Sequence, residues 1–220
     1  MSQVFDCRDP DRRKAGLAAA ASAFRRGALV VLPTDSAYAV TCDAFNTAAT
    51  AALRSAKGRP PGTPLPVLIG KAGVVDALTR GLTDDARQLI AALWPGPLTL
   101  LAKQQPSLIW DVDPSGTVMV RMPLHPLALE LLAATGPTAA TGANFVGLDV
   151  PMTCDDARDQ LGEAVAVYLD AGPLAAGRAS AVVDVTAAPP TVLRPGSVPP
   201  ERLEQICESL GPKVTAEPPA

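Results

Sequence analysis

The chain has 220 residues, 48% hydrophobic and 19% charged, with a formal net charge of −3. This composition is typical of a compact folded protein and excludes a mostly disordered chain, and the small negative charge excludes a general polyanion binder but allows a local basic patch. No apolar run approaches the roughly 20 residues that cross a bilayer, and the first residues lack a signal-peptide pattern. We therefore predict a cytoplasmic protein with no membrane partner.

The length suits one α/β domain with a sizeable core. We predict a single domain over residues 1–210 and a flexible tail over 211–220. The cysteines have no CxxC spacing and the chain has one histidine, His125, for which we predict a packing or helix-start role. No metal site is predicted, and the cysteines are expected to be reduced and structural; they are Cys7, Cys42, Cys154 and Cys207.

The first half of the chain mixes helix and strand signals. An acidic start, an alanine-rich body and a basic end before Gly27 predict a helix from Asp9 to Arg26. The apolar run 28–32 predicts a buried strand that Pro33 stops. Asn46 begins a predicted helix through Ala56. The remaining predictions here are strands over 65–69 and 98–102, and helices over 74–79 and 83–93.

In the second half the predicted strands outnumber the helices. Strands are expected over 117–122, 138–140, 165–169, 182–185 and 191–193, and helices over 126–134, 153–161 and 200–210. Strands and helices do not alternate strictly, which favours an open mixed, twisted sheet with flanking helices over a simple Rossmann fold. The sequence has neither a GxxxxGK[ST] loop nor a GxGxxG turn, so neither of the common nucleotide cradles is present.

Two cations bracket a glycine in the loop Lys57-Gly58-Arg59-Pro60. A compact ammonium and a planar guanidinium at this spacing can converge on a phosphate or a carboxylate, although an isolated KGRP is commonly a solvated turn. Arg121 ends an otherwise apolar strand, where it is costly unless it meets an anion; the alternative is an internal ion pair with an acidic side chain. Arg194 ends another predicted strand, where the ordinary interpretation is a surface cation.

These segments form an ordered series of motifs, listed here as they stand: Pro33-Thr34-Asp35-Ser36, Lys57-Gly58-Arg59-Pro60, Val120-Arg121-Met122-Pro123, Gly142-Ala143-Asn144 and Leu193-Arg194-Pro195-Gly196. The series resembles the YrdC family of L-threonylcarbamoyladenylate synthases over roughly residues 18–198, in a short form without an extra C-terminal domain. The resemblance implies a YrdC-type α/β fold with a concave basic cleft. It also implies cytoplasmic tRNA processing, with double-stranded RNA binding.

The resemblance carries roles onto named positions. Lys57 and Arg59 correspond to the KxR pair at the reacting phosphates. The expected threonine contacts are Ser36, Arg121 and Ser180, and the expected nucleotide contacts are Lys57, Arg59, Thr63, Thr141, Gly142, Asn144 and Arg194. For two of these residues a purely structural role is the alternative to substrate binding. The Ser36 hydroxyl can bond the backbone of its turn, and the Asn144 amide can hold its loop. Tyr38 is expected to pack.

Several positions depart from the family pattern. Gly142 replaces a serine that would bond the nucleotide, Ala181 replaces a threonine, and Thr63 stands in place of a lysine or asparagine. Val146 and Val150 stand where serines are usual, so this wall of the site is less polar. Restoring Gly142→Ser is expected to raise ATP affinity if the departure only weakens a contact.

The implied reaction joins L-threonine, bicarbonate or carbon dioxide, and ATP, with Mg²⁺ on the triphosphate. The product serves the N6-threonylcarbamoyl modification of adenosine in tRNA, so tRNA and downstream threonylcarbamoyl-transfer proteins are expected partners. Two rival interpretations stay open. One is a non-catalytic nucleotide- or RNA-binding member of the fold, and the other is a carbamoyl-transfer enzyme with a different substrate.

Overall fold

The structure is a computed structural model, and it describes residues 1–175 and 177–207. The helices are α1 Pro10–Arg25, α2 Thr47–Ala56, α3 Val75–Leu78, α4 Asp84–Leu93, α5 Pro126–Thr135, α6 Cys154–Leu161 and α7 Pro200–Ile206. The strands are β1 Gln3–Asp6, β2 Val30–Pro33, β3 Tyr38–Asp43, β4 Val67–Leu68, β5 Leu98–Lys103, β6 Thr117–Arg121, β7 Thr138–Gly142, β8 Val167–Asp170, β9 Ala181–Asp184 and β10 Thr191–Arg194.

All ten strands form one mixed sheet in the order β1-β8-β2-β3-β7-β4-β6-β5-β9-β10. Four neighbouring pairs are parallel, namely β1/β8, β2/β8, β4/β6 and β5/β9, and the other pairs are antiparallel. The predicted α/β class with an open mixed sheet and flanking helices is therefore confirmed. No helix within residues 1–175 and 177–207 is long and apolar enough to span a membrane.

Both faces of the sheet are covered, which explains its nearly continuous apolar strands. Along β2, Val30 and Leu32 pack with α1 and α5, whereas Val31 belongs to the larger core on the opposite face. That larger core includes Leu53 of α2 and Leu89 of α4. Successive residues of a strand point to opposite faces of the sheet, and here both sets are buried.

The helix starts follow the sequence signals. Side chains of Asp9, Asn46, Thr83 and Thr153 accept hydrogen bonds from backbone N–H groups in the first turns of α1, α2, α4 and α6, respectively. Gly27 adopts a φ of +71° just after α1, as its predicted capping role requires.

Some element boundaries differ from the predictions. Strands β1 and β3 were not predicted; β1 is a short edge strand, and β3 is buried between β2 and β7, where the Thr41 hydroxyl donates to the Val30 carbonyl at 2.7 Å. The strand expected over 65–69 shortens to Val67–Leu68, and the helix expected over 74–79 is the single turn α3. The last helix ends at Ile206, because Cys207 is extended, and residues 208–210 of the predicted helix lie outside the described residues. The single-domain prediction is untested, and the tail 211–220 likewise lies outside the described residues.

The sheet curls strongly between β2 and β6. Three strands lie between them in the sheet order, and at about 4.8 Å per strand a flat sheet would separate them by roughly 19 Å. Arg121 at the end of β6 nevertheless contacts Asp35 and Ser36, directly after β2. The predicted twist is thus realised, and it brings distant parts of the chain to one site.

Candidate active site

Lys57 is buried and holds the loop after β7. It follows the last turn of α2, is 1% exposed, and its Nζ donates to the carbonyls of Gly142 and Asn144 and, at 2.9 Å, to Asn144 Oδ1. Burial, with a smaller effect of Arg59, lowers the pKa of Lys57 to about 7. The three oxygens oppose that shift, because only an ammonium supplies three N–H donors. Lys57 therefore positions the loop and places a charge behind it.

Arg59, like Lys57, has no ion-pair partner among the described residues, but unlike Lys57 its charged group is not fully hydrogen-bonded. Its Nε is buried without a hydrogen-bond partner, and burial lowers the pKa of its guanidinium. Gly58 adopts a φ of +69° and packs against the Phe145 ring, so no side chain fits between the two cations. A partly buried cation without a carboxylate is arranged to receive an anionic ligand.

Arg121 is fixed by three neighbours. Its Nε donates to the Gly96 carbonyl at 3.1 Å, Nη1 to Ser36 Oγ at 3.0 Å and Nη2 to Asp35 Oδ2 at 2.6 Å. Burial lowers the pKa of Arg121, and Asp35 opposes that change. The internal ion pair considered from the sequence is therefore present. The same guanidinium also holds the hydroxyl of Ser36, another predicted threonine contact.

The Ser36 hydroxyl does not close the turn, contrary to the bland interpretation. Thr34 Oγ1 does so instead: it accepts from the backbone N–H groups of Ser36 and Ala37 and donates to the Ala37 carbonyl at 2.7 Å. Ser36 Oγ lies 3.1 Å from Thr34 Oγ1 and accepts from Arg121. It is thus held at the rim of the site rather than in the backbone network.

Ser180 and Arg194 lie beside Arg121. The buried Ser180 hydroxyl lies 2.9 Å from Thr99 Oγ1, and Arg194 Nε donates to the Ser180 carbonyl at 3.1 Å. Burial and the nearby charge of Arg121 lower the pKa of Arg194. Arg194 has no carboxylate partner among the described residues, which makes it a second cation facing the site without a counter-charge. We call Asp35, Ser36, Arg121, Ser180 and Arg194 the Arg121 cluster.

Lys57, Arg59, Gly142 and Asn144 form a second group, the Lys57 cluster. It adjoins the Arg121 cluster through the first residue of β3, because the Ala143 N–H donates to the Tyr38 carbonyl at 2.9 Å. Tyr38 itself is fully buried with its hydroxyl bonded to the Gly172 carbonyl, which confirms its packing role. The predicted site residues therefore gather on neighbouring segments, and the concave shape of this face stays a prediction.

Two of the three remaining predicted nucleotide contacts already make hydrogen bonds within their own loops. The Asn144 amide holds its loop, as one interpretation expected, by donating to the Phe145 and Leu148 carbonyls. The Thr63 hydroxyl donates to the Pro60 carbonyl at 2.8 Å within its turn. Thr141 lies opposite Val40 in the β3/β7 ladder and is half-buried. Of the three, only Thr141 has no side-chain hydrogen bond to another described residue.

Sequence reasoning missed the pair that supports the cationic loop. Arg54, buried on α2, donates to the Thr63 carbonyl at 2.8 Å and to Asp111 at Oδ2 and at the backbone oxygen. Thr50 Oγ1 also donates to Asp111 Oδ1, at 2.5 Å. Asp111 follows no recognisable motif, and only the three-dimensional fold brings it to α2. Arg54 therefore connects the two ends of the loop that carries Lys57 and Arg59: it lies on α2 before the loop, and its side chain bonds Thr63 after it. Asp111 holds Arg54 in this position.

The Gly142→Ser expectation must be revised on steric grounds. A Cβ at position 142 would lie 2.8 Å from Asn144 Oδ1 and 3.1 Å from Val150 Cγ1. Because Asn144 Oδ1 accepts from Lys57, we expect Gly142→Ser alone to weaken ATP binding about tenfold rather than strengthen it. Adding Val150→Ser relieves only the 3.1 Å contact and should recover part of that loss. Calorimetric titration with ATP checks this, and tighter binding by the single variant would contradict it.

Fold and site together define a mixed α/β protein whose curled sheet gathers unpaired arginines and a buried lysine, an arrangement suited to anionic substrates. The Sua5_yciO_yrdC family model, described as "Telomere recombination", matches residues 22–196. The chain belongs to the Sua5/YciO/YrdC family, which confirms the resemblance inferred from the motifs.

Relatives extend this result. A Mycobacterium tuberculosis (strain H37Rv) protein, provisionally named threonylcarbamoyl-AMP synthase, is 49% identical over 94% of this chain and 95% of its own length. The threonylcarbamoyl-AMP synthase of Bacillus subtilis (strain 168) is 35% identical over 89% of this chain and 57% of its own. The structure of P. abyssi Sua5 complexed with L-threonine has a TM-score of 0.86 at 30% identity, over 96% of this chain and 63% of that one. The chain thus spans nearly all of the mycobacterial relative but under two thirds of the other two.

Proposed function

We propose that this protein is an L-threonylcarbamoyladenylate synthase, a nucleotidyltransferase that joins L-threonine, bicarbonate or carbon dioxide, and ATP. The observation that carries the proposal is the hydrogen bond between Arg121 and Ser36, beside the unpaired cation Arg194. A guanidinium with a hydroxyl next to it suits a small hydroxylated carboxylic acid. Relatives named threonylcarbamoyl-AMP synthase, and a Sua5 structure complexed with L-threonine, support this substrate.

The chemistry requires positioning and charge neutralisation rather than an enzyme nucleophile. The threonine amine, once deprotonated, attacks carbon dioxide and forms a carbamate. A carbamate oxygen then attacks the α-phosphorus of ATP, and the bond to pyrophosphate breaks. Arg59 and Arg194 would neutralise the phosphates, and Lys57 would add charge from its fixed position behind Gly142.

Magnesium enters the proposal as the companion of ATP, where it neutralises phosphate charge. No group of three or more His, Cys, Asp or Glu side chains that could hold a metal occurs in the part of the chain that the structure describes. The cytoplasmic location, tRNA binding and downstream threonylcarbamoyl-transfer partners likewise belong to the proposal. They follow from the substrate class and the family.

The direct test combines purified protein with ATP, Mg²⁺, bicarbonate and L-threonine, and measures threonine-dependent pyrophosphate release with mass detection of the adenylate. Arg121→Ala should raise the KM for threonine about 100-fold or more, because several charge-assisted bonds are lost. Arg80→Ala, an exposed arginine outside both clusters, is the matched control and should behave like the wild type. Unchanged threonine dependence in Arg121→Ala would refute this assignment.

One observation favours a binding module as the second candidate. Every N–H of Lys57 is taken by the loop that it holds, and Gly142 supplies no hydroxyl, so this wall offers few free polar groups to ATP. ATP binding without pyrophosphate release would support that candidate. Pyrophosphate release that ignores threonine and depends on another acid or amine would instead support a carbamoyl-transfer enzyme with a different substrate.

A further inference from the structure

The ion pair between Asp35 and Arg121 retains bonding capacity on both partners. Arg121 uses three of its five N–H donors in contacts with described residues, and one donor stays available on each terminal nitrogen. Asp35 accepts one bond on each oxygen, from Arg121 on Oδ2 and from the Leu124 N–H on Oδ1 at 2.8 Å, which leaves about two lone-pair sites. Both charges can therefore take a second partner without breaking the first.

We propose that this pair is a receptor for an α-amino acid zwitterion, in which Asp35 binds the substrate's ammonium while Arg121 binds its carboxylate. The inference rests on the proposed function and deepens it, because it assigns the recognition of the amino group to Asp35. A bound zwitterion can align with the ion pair so that its ammonium lies beside Asp35 and its carboxylate lies beside Arg121. A plain carboxylic acid would satisfy only Arg121.

The location of the pair limits the ligand to a small one. The side chains of Arg121 and Asp35 are 9% and 15% exposed, respectively, so a narrow edge of each reaches solvent. Gly177 lies over the turn, where an added Cβ would be 3.0 Å from the Ser36 carbonyl oxygen. Low exposure strengthens both charge contacts, because little water screens them.

The neighbouring charges explain why an acidic residue belongs here. Burial lowers the pKa of Arg121 and of Arg194, and the charge of Arg121 lowers the pKa of Arg194 further. Without Asp35 the Arg121 cluster would carry two positive charges and would attract any small anion. Asp35 offsets one of them and adds an attraction that only a ligand with a cationic end satisfies. Asp35 is thus a specificity-determining residue for amino acids over other hydroxy acids.

The test compares two ligands that differ only in the amino group, L-threonine and (R)-3-hydroxybutyrate, by calorimetric titration. Asp35→Asn loses the charge and keeps a single acceptor oxygen, which can serve either Arg121 or the Leu124 N–H, while the amide NH2 takes the place of the other acceptor. We expect it to weaken threonine binding about 10- to 100-fold and to change 3-hydroxybutyrate binding no more than about twofold. Equal weakening of both ligands would mean that Asp35 only holds Arg121 in place, and would overturn the inference, as would unchanged binding of both.

Two further variants complete the test. Asp35→Glu keeps the charge and should retain the preference for threonine; loss of that preference in a folded Asp35→Glu protein would also overturn the inference. Asp43→Asn is the matched control, because Asp43 Oδ1 likewise accepts a backbone N–H, from Phe45 at 2.9 Å, outside both clusters. Suppose that the wild type binds threonine and releases pyrophosphate, but Asp35→Asn weakens both ligands equally or changes neither. Only the inference about Asp35 is then refuted. If the wild type binds no threonine, the proposed function falls with it.

Discussion

Replacing Lys57 by methionine is expected to cost the protein both stability and activity. The substitution preserves apolar volume but leaves the partly buried oxygens of Gly142 and Asn144 without their donor. Buried unsatisfied acceptors cost about 1–3 kcal/mol each, so we expect the free energy of unfolding to fall by about 3 kcal/mol. The released loop carries a wall of the predicted nucleotide site, and activity should fall more than about 100-fold. Urea unfolding and pyrophosphate release measure the two effects.

Arg59→Met is the matched control for that experiment, because it removes a cation two residues away that supports no loop. Its Nε has no partner in the described part of the chain, so we expect the free energy of unfolding to change by less than about 0.5 kcal/mol. Activity should still fall about 100-fold, since a charge at the phosphates is lost. Equal stability losses in the two variants would contradict the division between a supporting lysine and a ligand-facing arginine.

The second large effect is expected for Arg54→Met, far from any family motif. Arg54 is buried, but its partner Asp111 is 43% exposed, so we reduce the usual cost of breaking a buried pair to about 2–3 kcal/mol. The Thr63 carbonyl also loses its donor, which frees the far end of the cationic loop. We expect the KM for ATP to rise about tenfold with little change in the KM for threonine, measured by initial rates.

An exposed ion pair provides the comparison for Arg54. Arg87 and Asp76 also meet at 3.0 Å, but both side chains are more than half exposed. Surface pairs are worth about 0–1 kcal/mol, so Arg87→Met should leave stability and both KM values nearly unchanged. If the two variants were equally mild, the Arg54–Asp111 pair would not position the loop.

Local signals predicted most of the fold. The capped helices α1, α2, α4 and α6 begin where Asp9, Asn46, Thr83 and Thr153 indicate, because a cap is a contact within four residues. Strands β1 and β3 escaped prediction because their evidence is not local. β1 exists through pairing with β8, and β3 is a central strand whose polar Thr41 is satisfied by its neighbour β2.

The sequence motifs supplied the candidate site residues but not the contacts that orient them. The motif series named Ser36, Lys57 and Arg121, yet residue spacing did not show that Lys57 would turn inward to hold its own chain. Nor did it show Asp35 as the partner of Arg121, since the two are 86 residues apart and meet only through the curl of the sheet. Sequence motifs identify the side chains that the chemistry requires. The contacts that orient those side chains join residues far apart in the sequence, so they depend on the three-dimensional fold.

The sheet order also has a consequence for synthesis on the ribosome. β8 lies between β1 and β2, so neither of these early strands has its parallel neighbour until residues 167–170 have been made. At roughly 5–20 residues per second, about ten to thirty seconds separate Gln3 from Val167 in translation. The nascent chain therefore carries the apolar strand β2 half-paired during this interval. The turn holding Asp35 and Ser36 gains its final surroundings only after most of the polypeptide has left the exit tunnel.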